Sequence, residues 1–322
     1  MISSFIFLLF IYAVIELFYF KVADKYDIID KPNHRSSHLF VTIRGGGIIF
    51  PISFLIPLLV SVYNGWLLVS FALTAISLIS FLDDAITLNN KVRLLIQSLS
   101  VAILLLQISA YTNLLLLIPL FIIITGIINA YNFMDGINGI TALYSIVAIG
   151  TLFWLNQSVV TIIPAIFFIS LLASLLVFSF FNIRKKAKCF AGDVGSISMA
   201  FIICFLLISL SVKTGSFVWL LLLGVYGIDT VFTILCRLAR REPIFKAHRS
   251  HFYQYLVNEH SVNPLFVASI YAFAQLLMNC AIIFAYKSGM PLIAVASLFV
   301  FLIIYIIFRL RFEGSYRLFT AY

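Results

Sequence analysis

Asp83 and Asp84 stand side by side where an apolar run ends, in "SFLDDAITLNNKVR". Asp135 in "NAYNFMDGINGI" and Asp193 in "CFAGDVGSIS" also sit at the edges of apolar runs, and Asp229 lies within one, about two turns from its end. The chain has only eight aspartates, and none falls at the midpoint of an apolar run. A carboxylate beside hydrocarbon is costly unless it is paired or metal-bound. Asp83, Asp84, Asp135 and Asp193 are therefore candidates for one site rather than four unrelated caps. Around them the loops are basic. Carboxylates beside cationic side chains, with no zinc-like Cys/His cluster, suit a hard cation that takes one or two carboxylates and completes its shell with water and substrate phosphate oxygens. A magnesium-bridged diphosphate fits these parts.

Further groups suit an anionic ligand. "KAHRSHFYQYL" places His248 and His251 three residues apart with Arg249 between them, so the two imidazoles can share a face. Phosphate binding suits this segment better than metal, because no third soft ligand accompanies the pair. "RSSHLFVTIRGGG" offers Arg35, His38 and Arg44 ahead of three glycines, and Arg93 follows the paired aspartates. Glycines there and in "AGDVGS" permit close approach of backbone, and the latter run opens a helix whose N-terminus favours an anion. Asn129, Asn132, Asp135 and Asn138 recur every three residues, a spacing that keeps successive groups near one helical face. The four cysteines form no CxxC pair and read as buried apolar thiols.

These residues need elements to hold them, and composition says which. Of 322 residues, 63% are hydrophobic and only 10% charged, with a mean hydropathy of +1.14. No water-soluble fold hides that much apolar surface, so lipid must be the solvent for most of it. About eleven runs are long enough to cross ~30 Å of hydrocarbon: roughly 4–20, 45–63, 65–82, 94–111, 113–131, 139–156, 159–181, 196–212, 216–236, 264–286 and 290–308. None alternates as a barrel strand would. The expectation is an all-α integral membrane protein, a single polytopic domain over 1–322. The first run lacks preceding basic residues and contains Glu16, which predicts a retained helix rather than a cleaved leader.

Assigning alternate loops to one side collects nineteen of the 21 Lys and Arg there; Lys213 and Lys287 are the exceptions. That side is expected to be cytoplasmic, with the N-terminus outside and the C-terminus cytoplasmic. Its loops 21–44, 83–93, 129–139, 183–195 and 237–262 carry every candidate residue, while the opposite loops are short turns. The net charge of +9 then describes a rim suited to lipid head groups and phosphorylated ligands, not nucleic acid. A lipid or ion transporter is the rival class. It would place its site near the midplane, with repeat symmetry, and neither is seen.

"FLDDAITLNNKVRLLIQ", "NAYNFMDGINGI", "FAGDVGSIS" and "AHRSHFYQYL" resemble, in order and in membrane position, the motifs of the polyprenyl-phosphate N-acetylhexosamine-1-phosphate transferases, the MraY/WecA superfamily (glycosyltransferase family 4). The resemblance runs from about 30 to 256, and "DKPNHRSSH…TIRGGG" with "HRSHFYQ" looks most like the WbpL branch. It implies transfer of a sugar-1-phosphate from a UDP-sugar to undecaprenyl phosphate, with Mg²⁺ or Mn²⁺, at the cytoplasmic side of a bacterial inner membrane, as a step that begins O-antigen assembly. FucNAc or QuiNAc would be the favoured sugars and GlcNAc the next; a homodimer is also implied. By position, Asp83 and Asp84 match the catalytic aspartate pair and Asp193 the metal-binding aspartate, with Asp83 assisting. Asn132, Asp135 and Asn138 match the nucleotide-side motif; His248, Arg249 and His251 match the histidine motif. One departure stands out. The usual D-G-x-D-G reads Asp135-Gly136-Ile137-Asn138-Gly139 here, so an amide replaces the second acid.

Overall fold

The structure is a computed structural model describing residues 2–31, 41–61, 66–109, 113–244 and 248–320. Arg35 and His38 lie outside the described residues. Long helices follow one another: α1 (Ile2–Lys25), α2 (Ile49–Ser61), α3 (Leu67–Ile86), α4 (Asn90–Ser109), α5 (Leu114–Phe133), α6 (Ile140–Ser158), α7 (Ala165–Asn182), α8 (Gly192–Thr214) and α9 (Gly224–Ala239). A short α10 (Phe252–Asn258) precedes α11 (Pro264–Lys287) and α12 (Pro291–Phe319). The only strands among the described residues are β1 (Ile29–Asp30) and β2 (Thr42–Ile43), paired antiparallel. The chain is an all-α polytopic membrane protein, as its composition predicts.

Among the described residues, ten helices are long and apolar enough to cross a bilayer. The eleventh expected run, 45–63, is a shorter apolar helix of Gly46–Leu59 within the described residues. Local sequence explains several boundaries. Asn113 and Asn263 cap α5 and α11 by accepting the N–H of Leu115 and Leu265, and Pro264 opens α11 where a missing N–H costs nothing. The centre of the bundle is α8, buried almost throughout and packed on α3, α5 and α2. Outward-facing Leu, Ile and Phe along α1, α5, α11 and α12 are the expected surface when lipid is the solvent.

The ends of α1, α3, α5, α7 and α9 meet at one face of the bundle. There Ile43 bridges to Cys189, Tyr253 reaches the carbonyl of Phe133 and Arg240 reaches that of Leu318. At the other face, the Nζ of Lys213 donates to the carbonyl of Thr161 at 2.7 Å and Lys287 lies over Trp154. The two exceptional lysines thus share the face opposite the candidate residues. Cys189, Cys204 and Cys236 are buried, but Cys280 is exposed on α11, a correction to the expected burial of all four; its helix face meets lipid rather than protein.

Candidate active site

The carboxylates converge because two backbone segments lie against each other. After β2 the chain runs beside residues 188–191: Phe190 N–H donates to the carbonyl of Ile43, Gly46 N–H to that of Phe190 and Gly47 N–H to that of Ala191, all at 2.8–3.0 Å. A Cβ on Gly47 would overlap the Cα of Gly195, and one on Gly195 would overlap Gly47. These glycines let backbone approach backbone, where the sequence had suggested approach to a ligand. The result sets Arg44 over the first turn of α8.

Asp84 anchors that turn. Its Oδ1 accepts the N–H of Asp193 at 3.0 Å and its Oδ2 that of Val194 at 2.9 Å. A carboxylate here satisfies two of the N–H groups every helix start leaves open and lies at the positive end of the helix dipole. Arg44 completes its shell, Nε standing 2.7 Å from Oδ1. Asp83, its neighbour in sequence, faces elsewhere. Its Oδ1 accepts the N–H of Leu88 at 2.6 Å, closing the α3–α4 turn, and its Oδ2 contacts Arg93.

Asp193 is where the elements meet. Its Oδ2 lies 2.7 Å from Nη2 of Arg93, which also holds Asp83 through Nη1 at 2.6 Å. Its Oδ1 accepts from Asn132 at 3.1 Å and from Arg44 at 3.4 Å. Asn132 Nδ2 also reaches Ser196 at 2.9 Å. Asp83, Asp84, Asp193, Arg44, Arg93 and Asn132 therefore form one contact network drawn from α3, α4, α5, α8 and the β2–α2 connection. No group of three His, Cys, Asp or Glu side chains suited to a metal occurs among the described residues. Asp83 and Asp193 offer two carboxylates on one guanidinium, a donor set that a hard cation could take with water and phosphate oxygens completing its shell.

The ladder at 129–138 does not stay on one face. Asn129 donates to Thr125 of its own helix and Asn132 turns to Asp193, but α5 ends at Phe133, so the helical spacing lapses beyond it. Asp135 accepts from the hydroxyl of Thr141 at 2.5 Å. Burial pushes its carboxyl up to about 6, against the Thr141 hydrogen bond; the nearby charge of Asp193 adds to the rise and Arg44 opposes it. Asn138 donates to the carbonyl of Arg184 at 3.0 Å, tying the α5–α6 loop to the α7–α8 loop. Asn182, unremarked in the sequence, does the same work: it accepts from Gly139 and donates to Cys189.

The histidines lie beside the end of α5. Phe133 is 6.2 Å from the ring of His248 and 6.4 Å from that of His251, which stack on each other at 5.1 Å. Burial, followed by the neighbouring His251 ring, pushes His248 down to about 4, so it is neutral at pH 7. Arg249 lies between them in the same segment. The Nδ1 of His251 is 2.8 Å from Asp229. Arg237 and Arg240, about two to three turns further along the chain, bind Glu242 and leave Asp229 to this buried cluster.

Comparison with known proteins identifies relatives of the chain. Residues 66–211 match the model of the family described as Glycosyl transferase family 4. The chain is 30% identical to a probable undecaprenyl-phosphate N-acetylglucosaminyl 1-phosphate transferase of Bacillus subtilis (strain 168), over 74% of this chain and 72% of that protein. It is 24% identical to the undecaprenyl-phosphate alpha-N-acetylglucosaminyl 1-phosphate transferase of Escherichia coli O157:H7, over 88% and 84%. With a phospho-N-acetylmuramoyl-pentapeptide-transferase of Lactobacillus helveticus the identity is 32%, over 42% of this chain and 48% of that one.

Proposed function

Because the chain belongs to glycosyl transferase family 4, the MraY/WecA superfamily, we propose that it moves the sugar-1-phosphate of a UDP-N-acetylhexosamine onto undecaprenyl phosphate. UMP is released and a lipid-linked diphosphate sugar remains, the opening step of a cell-surface polysaccharide such as O-antigen. The observation that carries this proposal is Asp193, held at a helix start between Arg44, Arg93 and Asn132 and joined to Asp83 through Arg93. Alternating acid and guanidinium groups suit a ligand with several phosphate oxygens.

In this scheme an oxygen of the lipid phosphate attacks the β-phosphorus of the donor. The bond from that phosphorus to the oxygen bridging the α-phosphate breaks, and UMP leaves. Most acceptor is already dianionic at neutral pH, its second pKa being ~6, so little base is required of the protein. Positioning and charge neutralisation do most of the catalysis. Asp83 and Asp193 would hold Mg²⁺ or Mn²⁺, which when bound neutralises the diphosphate. Arg44 and Arg93 offer guanidinium groups to phosphate oxygens. Asp84, committed to α8, serves as a positioning residue. Asp135 and Asn138 face the nucleotide side, and His248, Arg249 and His251 contact substrate phosphate or sugar.

GlcNAc leads among the sugars because two relatives are named for it; FucNAc and QuiNAc are the 6-deoxy alternatives. We place the site on the cytoplasmic side of a bacterial inner membrane, where the basic loops gather, and a homodimer is compatible with it. The decisive experiment offers the purified protein a panel of UDP-sugars with undecaprenyl phosphate and follows UMP release and lipid product. Release should require both the lipid and the divalent cation. Absence of turnover with every UDP-N-acetylhexosamine would refute the proposal. Donor alone, without lipid, should label no aspartate; a trapped phosphosugar adduct would replace direct displacement by a covalent route.

A further inference from the structure

A second buried polar cluster joins the last three long helices to the histidine segment. Asp229 of α9 accepts three groups: Nδ1 of His251 lies 2.8 Å from Oδ1, the hydroxyl of Thr233 3.2 Å from Oδ1 and that of Tyr271 2.5 Å from Oδ2. Arg309 of α12 stands behind them. Its Nη1 donates to Thr233 at 2.9 Å and to Tyr305 at 3.0 Å, and its Nη2 to the carbonyl of Ser250 at 3.0 Å. Glu313, one turn on, pairs with the same guanidinium. Arg309 had counted among the basic residues of the cytoplasmic rim, but it is 1% exposed.

The directions of these bonds are constrained. A guanidinium only donates and an ionised carboxylate only accepts. The chain therefore runs from Arg309 N–H to the Thr233 oxygen, from Thr233 O–H to Asp229, and from the opposite side His251 Nδ1–H to Asp229. Ser250 directly precedes His251, so Arg309 grips that histidine twice, through its backbone and through its carboxylate partner. Every polar atom of the His251 ring is then used except Nε2, which is buried and has no hydrogen-bond partner. Arg309 Nε and Glu313 Oε1 also lack a hydrogen bond but face each other as an ion pair; the His251 ring nitrogen has no such counter-group and marks the place of a ligand group.

We infer that Arg309 is a positioning residue of the transfer site: through Ser250 and the Thr233–Asp229 relay it holds His251 with the proton on Nδ1, leaving Nε2 to the substrate. The kinetic part of this inference rests on the proposed transfer reaction; the structural part does not. Arg309 acts on substrate only through His251.

The test uses the full-length protein with ¹⁵N-labelled histidine. The chain has five histidines, and the His251 signals are those lost in His251→Gln. Wild type should show a single tautomer with Nδ1 protonated. Arg309→Met should give mixed tautomers. Should that variant fail to fold, Thr233→Val, close to it in shape and lacking only the relay hydroxyl, carries the test. Both should lower kcat about 10- to 100-fold, the range for partners that orient a functional histidine, and neither should lower it further when combined with His251→Gln. An unchanged His251 spectrum in a folded variant overturns the inference, as do losses that multiply with that of His251→Gln. If the tautomers shift as expected while even wild type releases no UMP, the positioning stands and the transfer reaction falls.

Discussion

Asp84 holds Asp193 by its backbone rather than by its carboxylate: the Asp84 side chain accepts the N–H of Asp193 at 3.0 Å, leaving the Asp193 oxygens to Arg44, Arg93 and Asn132. Two aspartates that read alike in the sequence thus have different work. Asp84→Ala orphans two helix N–H groups and the Nε of Arg44. Leaving buried partners unmet costs about 1–3 kcal/mol. A lower melting temperature in detergent is expected, with turnover falling alongside it. Unchanged stability would remove Asp84 from its anchoring role.

Asp193→Asn keeps the shape and the helix start but halves the local carboxylate charge facing Arg93. Turnover should drop about 10²- to 10³-fold, equivalent to about 3–4 kcal/mol of transition-state stabilisation, while the protein stays folded and inserted. Titration with Mg²⁺ or Mn²⁺ should require far higher concentrations than for wild type. Near-normal rates at ordinary cation levels would end the assignment.

Asp135 and His248 predict a pH dependence of defined sign. The native Asp135, pushed up to about 6 chiefly by burial, keeps a proton that the unfolded chain releases nearer its ordinary 3.8. Its contribution to stability therefore falls as pH rises between those values. His248, pushed down to about 4 from 6.5, works oppositely, so acidification through that window favours the unfolded chain. Binding of a UDP-N-acetylhexosamine, measured without acceptor, should weaken below about pH 6 as Asp135 loses its charge. Asp135→Asn should abolish that limb and His248→Gln should leave it in place; the reverse outcome would transfer the limb to histidine.

Gly47→Ala and Gly195→Ala place a Cβ against opposing backbone, and overpacking of this kind costs about 1–3 kcal/mol or more. Both should lower the melting temperature and shift Arg44 away from Asp84, with activity falling as well. Gly126→Ala, in α5 with open space around its Cβ position, is the control and should be neutral or stabilising by up to about 1 kcal/mol. Equal effects at all three positions would show that helix propensity, not close approach, governs them.

Much of this protein was legible in one dimension. Hydrocarbon demands long apolar helices and places charge at their ends, so hydropathy alone yields the spans and the shared face of Asp83, Asp84, Asp135 and Asp193. Cationic partners beside those acids could also be expected. The division of labour could not, because it depends on direction: consecutive positions on a helix point about 100° apart, which sends Asp83 to Arg93 and Asp84 to the start of α8. Asn138 and Asn182 became loop ties only once α5 had ended and α7 lay beside it. Arg309 carried no local signal that separated it from a solvated rim arginine. Its burial follows from α12 packing against α9, and only that packing brings its guanidinium to Ser250 and Thr233, residues 59 and 76 positions away.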